Sequence, residues 1–96
     1  MLMAVDVGNT QTVLGLIDGE EPRGQWRITT EAHRTADELA VTFAGLLALE
    51  GLSPHEVSAM IVSSVVPGLT RSYRYLASQV FRVPYFAVTA EMETAK

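Results

Sequence analysis

The 96-residue sequence predicts one α/β domain, a mixed five-stranded sheet in the spatial order 3-2-1-4-5 with helices packed on it. Three observations predict it. The first third of the chain, up to Thr29, consists of apolar and β-branched runs separated by tight-turn residues. At Thr35 the hydrophobic period changes from that of a strand to that of a helix. Beyond that point strand and helix patterns alternate, as they do when parallel strands are joined by helical crossovers.

Leu2 to Val7 is a short apolar run stopped by Gly8 and Asn9. It scarcely alternates, which predicts a strand covered on both faces. Thr12 to Ile17 is a second run rich in β-branched residues, closed by the turn dipeptide Asp18-Gly19. Arg23 to Thr29 places Trp26 and Ile28 on one side and Gln25 and Arg27 on the other, the alternation of a strand with one wetter face at a sheet edge. These three form an antiparallel meander. Thr35-Ala36-Asp37-Glu38 is a capping box, and Leu39, Phe43, Leu46 and Leu47 follow at helical spacing until Gly51. Asp37 and Glu38 also suit the positive end of that helix. Ser53-Pro54-His55-Glu56 repeats the capping pattern over one short turn. Ser58 to Val66 is the fourth strand, with Met60-Ile61-Val62 as a continuous buried core. Pro67 opens a second helix whose apolar face is Leu69, Tyr73, Leu76 and Val80, and Arg82 closes it at the end that favours a cation. Pro84 breaks it, Tyr85 to Val88 is the fifth strand, and a further helix begins near Ala90. Right-handed crossovers then make the first and fourth strands central, parallel neighbours. Their C-terminal ends carry Asp6 and Ser63-Ser64, so polar groups converge at the rim where open α/β sheets bind ligands.

Composition narrows the function. Hydrophobic residues make up 48% and charged residues 19%, enough for a folded core in a single domain. The net charge is −4 and the sequence pI about 5.0, which argues against a nucleic-acid or anionic-membrane binder. There is no cysteine, which excludes disulfides, thiolate catalysis and cysteine-ligated zinc. His33 and His55 lie in polar, turn-like settings with no third ligand nearby and read as solvated surface groups. No apolar stretch approaches the ~20 residues of a membrane span, and no signal peptide precedes the first strand, so the expected location is the cytoplasm.

The chemistry concentrates in Met3 to Gly15. An apolar strand delivers one carboxylate, Asp6, and a Gly8-Asn9-Thr10 turn leads into the next strand. Such a hairpin can cradle a polyphosphate. Backbone N–H groups approach the anion, Gly8 removes an obstructing side chain, and the Thr10 and Thr12 hydroxyls add donors. Asp6 stands where it could hold Mg²⁺ against the phosphates, directly or through water. The plainer reading is a hairpin whose Asn and Gly serve only the turn. Ser63 and Ser64 either line the cleft or satisfy backbone groups where the strand ends. Without a His-Asp pair nearby neither is a nucleophile. Arg34 contacts substrate or another part of the protein, or else pairs with Asp37 or Glu38 on the surface, a pair that contributes little. Trp26 and Tyr85 read as packing residues.

The segment Asp6-x-Gly8-Asn9-Thr10-x-Thr12 between two strands resembles the first phosphate motif of the acetate kinase/sugar kinase/heat-shock ATPase superfamily. Its form is closest to the type III pantothenate kinase branch. Arg34-Thr35-Ala36-Asp37-Glu38 is similar to that family's lead into its first helix. Ile61-Val62-Ser63-Ser64-Val65-Val66-Pro67 is similar to its fourth strand and following turn, and the Gly51-Leu52-Ser53-Pro54 connector fits. The four segments run in family order along essentially the whole chain. The resemblance implies a ribonuclease H-like fold and ATP-dependent phosphorylation of pantothenate, the first committed step toward coenzyme A. It further implies Mg²⁺, a monovalent cation (K⁺ or NH₄⁺) and a homodimer. Asp6 would serve metal and phosphate, and Gly8, Asn9, Thr10 and Thr12 phosphate. Members of that family are well over twice as long and carry two such halves. Their expected general base sits in a Gly-x-Asp-Arg motif that this sequence lacks, so the resemblance places the base beyond Lys96 and no catalytic residue within the chain. Residues 1–96 are therefore expected to be the N-terminal half of a two-domain kinase, inactive alone. Two other functions share the scaffold: a non-catalytic transcriptional accessory protein and a module that only docks a partner.

Overall fold

The computed structural model describes residues 1–88. The helix expected from Ala90 and the chain end at Lys96, after which the general base is expected, lie outside the described residues. A five-stranded sheet runs in the order β3-β2-β1-β4-β5, as the sequence predicts. β1 (Leu2–Val7) is central, antiparallel to β2 (Gln11–Asp18) and parallel to β4 (Ala59–Ser64). β3 (Glu21–Thr29) forms one edge, with Pro22 near its start where a missing N–H costs little. The β2–β3 register slips between Leu16 and Ile17 beside a turn in which Gly19 has φ +62°. β5 (Tyr85–Ala87) is the other edge, parallel to β4.

Helix α1 (Ala36–Leu49) begins as its residues dictate. The Glu38 N–H donates to Thr35 Oγ1 at 3.2 Å and the Thr35 N–H to the Glu38 carboxylate at 2.8 Å. It buries Leu39, Phe43 and Leu47, half-buries Leu46, and stops where Gly51 takes φ +71°. The Ser53–Glu56 segment is one 3₁₀ turn (Pro54–Glu56), with the Ser53 N–H donating to the Glu56 carboxylate at 2.8 Å. β4 ends two residues earlier than expected. The Ser64 hydroxyl accepts the Val66 N–H at 3.0 Å and so turns the chain toward α2 (Pro67–Tyr75).

The second helix departs from its predicted face. Beyond Tyr75 it widens into a π-helical segment, Leu76–Phe81. In that geometry the residue returning to the inner side after Leu76 is five positions on, so Phe81 is buried and Val80, expected on the apolar face, is exposed. Ala77 is buried as well. The segment ends at Arg82 in the left-handed region (φ 57°), its N–H donating to the Ala77 carbonyl.

Both helices cover one face of the sheet. Met3, Val5 and Val7 of β1, Leu14 and Leu16 of β2, and Met60 and Val62 of β4 pack against α1 and α2, where the Phe43 and Tyr73 rings lie 5.8 Å apart. Trp26 and Ile28 of β3 extend this layer, and a Cβ at Gly24 would stand only 2.7 Å from the Trp26 ring. Among the described residues nothing covers the opposite face, so the expectation of strands covered on both sides is corrected for residues 1–88. Ala4 and Ile61 lie there half-buried and Phe86 exposed; Ile61 is not in the same layer as Met60 and Val62 because side chains alternate along a strand.

Candidate functional site

Asp6 sits near the C-terminal end of β1, between Val13 of β2 and Ser63 of β4 in register. The odd-numbered residues of β1 point into the core, so Asp6 projects to the uncovered side and is exposed. There it borders a cavity of about 370 Å³ with Ala4, Val13, Gly15, Ile61 and Ser63. Among the described residues its carboxylate is the only ionisable group on the wall of that otherwise mainly apolar hollow.

The turn after β1 closes by a hydrogen bond from the Gly8 N–H to the Gln11 carbonyl, 3.0 Å. A Cβ at Gly8 would stand 2.9 Å from the same oxygen, so the close backbone approach requires glycine. The Gly8 N–H is thus spent inside the turn rather than offered to an anion. Asn9 and Thr10 are exposed, and among the described residues their N–H groups have no internal acceptor. The Thr10 carbonyl is held by the Thr30 N–H at 2.9 Å, and Gln11 is steadied by Arg27 at 3.0 Å.

Thr12 behaves differently from Thr10. It shares the inward face of β2 with Leu14 and Leu16 and is only 1% exposed. Its hydroxyl lies 2.7 Å from that of Thr30. It therefore supports the turn from beneath instead of facing the solvent side with Asp6. Burial pushes the Tyr73 hydroxyl up to about 12, with the Thr12 hydrogen bond and the Arg34 charge pulling the other way, so it stays a protonated donor near neutrality.

The two serines divide the roles offered by the sequence. Ser63 faces the cavity beside Asp6. Ser64 is occupied with Val66 at the strand end. Arg34 is not brought to the Asp6 cavity. It borders a separate hollow with Glu31, His33 and Glu38, donates to Thr42 Oγ1 at 3.4 Å, and its carbonyl accepts from Ser72 Oγ at 3.1 Å. Among the described residues the ion pair within 4.0 Å is Arg23–Asp18, not one to Arg34. Tyr85 is half-buried beneath Arg74, 5.5 Å from its ring, a packing role. Sequence reasoning missed Thr30, whose N–H holds the Thr10 carbonyl and whose hydroxyl meets that of Thr12.

Among the described residues no group of three or more His, Cys, Asp or Glu converges on a metal position. A lone exposed carboxylate beside open amides still fits Mg²⁺, which keeps several waters and binds through one or two carboxylates plus substrate phosphates.

The family model of type III pantothenate kinases matches residues 2–96. The chain belongs to the type III pantothenate kinase family. It is similar to the type III pantothenate kinase of Rubrobacter xylanophilus, 57% identical over 93 residues, which are 97% of this chain and 35% of that protein. It is also similar to that of Rhodospirillum rubrum, 46% identical over 88 residues, 92% of this chain and 34% of that protein. The chain thus spans about a third of the length of the curated type III pantothenate kinases it matches. Among solved structures YeaZ from Pseudomonas aeruginosa superposes with a TM-score of 0.63 at 17% identity, over 92% of this chain and 44% of that one. That likeness confirms the α/β fold.

Proposed function

We propose that these residues form the phosphate-binding portion of a pantothenate kinase, and that the full-length protein transfers the γ-phosphoryl group of ATP to pantothenate. The observation that carries the reading is the exposed Asp6 carboxylate beside a turn whose Asn9 and Thr10 amides are open, in a chain of this family. Gly8 shapes the turn, Asn9 and Thr10 contact phosphate, and Asp6 holds Mg²⁺ or a water on it. The ion, when bound, neutralises charge on the phosphate oxygens. Phosphoryl transfer depends mainly on positioning and charge stabilisation, which such a turn supplies. Ser63 borders the same space and is placed to orient a ligand oxygen or a metal-bound water.

On the strength of the family resemblance, the base for the pantothenate hydroxyl is assigned to the Asp of a Gly-x-Asp-Arg motif, which residues 1–96 lack. A monovalent cation, K⁺ or NH₄⁺, and a homodimeric assembly complete the proposal on the strength of the family. The test is incubation of the full-length protein with MgATP and pantothenate. Formation of 4′-phosphopantothenate is expected. A folded full-length protein that leaves pantothenate unphosphorylated would point to the accessory or docking role on the same scaffold. The 96-residue chain alone is expected to form no product, and product from it would refute the placement of the base.

A further inference from the structure

We infer that the Thr12 and Thr30 side chains form a hydroxyl relay that positions the Gly8–Thr10 turn from beneath, which makes Thr12 and Thr30 positioning residues for the phosphate site. The inference rests on the reading of that turn as a phosphate site.

The relay is short and continuous. Thr12 Oγ1 is 2.7 Å from Thr30 Oγ1. Thr30 then grips the turn itself, its N–H donating to the Thr10 carbonyl at 2.9 Å. Because a trans peptide points its C=O and N–H in opposite directions, drawing the Thr10 carbonyl toward β3 aims the Gln11 N–H at the β1 side of the turn. The orientation of a backbone donor at the turn is thereby set by Thr30, and the Thr30 side chain is set by Thr12.

Packing alone does not call for these groups. Thr12 is 1% exposed and is the one residue in the core of the described residues classed as polar; valine would fill the same space without a hydroxyl to satisfy. Buried hydroxyls bonded to each other fix one geometry where an apolar pair would leave several.

The experiment uses the full-length protein with Thr30→Val, Thr12→Val and Thr12→Ser. Four quantities are read: kcat and KM for MgATP, KM for pantothenate, melting temperature, and amide hydrogen exchange at Gly8 and Thr30. Thr12→Val and Thr30→Val are expected to lower kcat/KM for MgATP and to speed exchange at the two amides, each about tenfold, the equivalent of about one hydrogen bond. KM for pantothenate should stay unchanged, and Thr12→Ser should keep what Thr12→Val loses. Lower melting temperatures with unchanged MgATP parameters and unchanged local exchange would reduce the relay to a packing feature and overturn the inference. Should the wild-type protein leave pantothenate untouched, the functional reading fails by itself, while the exchange data still decide whether the relay holds the turn.

Discussion

Asp6 and Gly8 carry separable burdens, one chemical and one steric. Asp6 is exposed and none of the fold's packing depends on it. Asp6→Asn in the full-length protein should therefore leave the melting temperature within a few degrees, as surface changes within about ±0.5 kcal/mol do. Turnover of pantothenate should fall by about a hundredfold or more, the scale of losing one electrostatic group aimed at the transferring phosphoryl; an unchanged kcat would remove Asp6 from the mechanism. Gly8→Ala acts the other way. Its Cβ would press on the backbone oxygen of Gln11 at 2.9 Å, so the turn must open. A loss of ~1–3 kcal/mol in denaturant unfolding is expected, with binding of MgATP weakened as the amides move. Thr10 and Thr12 show how far sequence can go here. Both read as phosphate donors because both are hydroxyls flanking a turn. Strand alternation places Thr12 with Leu14 and Leu16, and that parity, carried two residues further back, turns it inward. Its partner Thr30 is remote in the chain, and no local pattern announces it.

The helices are legible wherever a local rule governs them. The Thr35–Glu38 capping box stands in the structure as the residues propose, and Thr35→Ala should cost about 1 kcal/mol in thermal or urea unfolding. The hydrogen bonds from Thr35 hold the Glu38 carboxyl below its ordinary value of 4.5, backbone first and hydroxyl second. Its folded value is the lower one, so the stabilisation is complete above that ordinary value and fades as the pH falls through the folded one. Acid titration of α1 helicity should show this onset, and Glu38→Gln should flatten it. The second helix follows the sequence pattern at its start and leaves it at its end. A regular helical period puts Val80 inward, whereas the π-helical segment advances the buried position to Phe81. That segment finishes at Arg82 with φ 57°, a conformation in which a side chain is strained. Arg82→Gly is accordingly expected to raise stability by ~0.5–1 kcal/mol, measured by chemical denaturation.

The described residues form a sheet with both helices on one side and an open apolar side carrying Ile61 and the exposed Phe86. Contiguous apolar surface of this sort marks a contact with another part of a protein or with a partner. The 96-residue chain expressed alone should accordingly scatter light as a species heavier than its 10.4 kDa and should bind a hydrophobic dye. A monomer that ignores the dye would show that this face needs no cover. Phe86→Ser should reduce both signals without unfolding the sheet, because Phe86 lies outside the buried core.

Element order, strand pairing and helix starts are readable because each rests on neighbours in sequence: turn glycines, an alternating run, a cap three residues from its acceptor. Strand order 3-2-1-4-5 follows from short turns and from the handedness of helical crossovers. The facing of individual groups is decided only when the layers come together. Ser63 and Ser64 are adjacent, yet one borders the cavity and the other closes a turn. Arg34 goes to α1 and α2 instead of the Asp6 cavity. Residues far apart in the chain set these outcomes by competing for one buried face, and such competition leaves no periodic trace in a linear sequence.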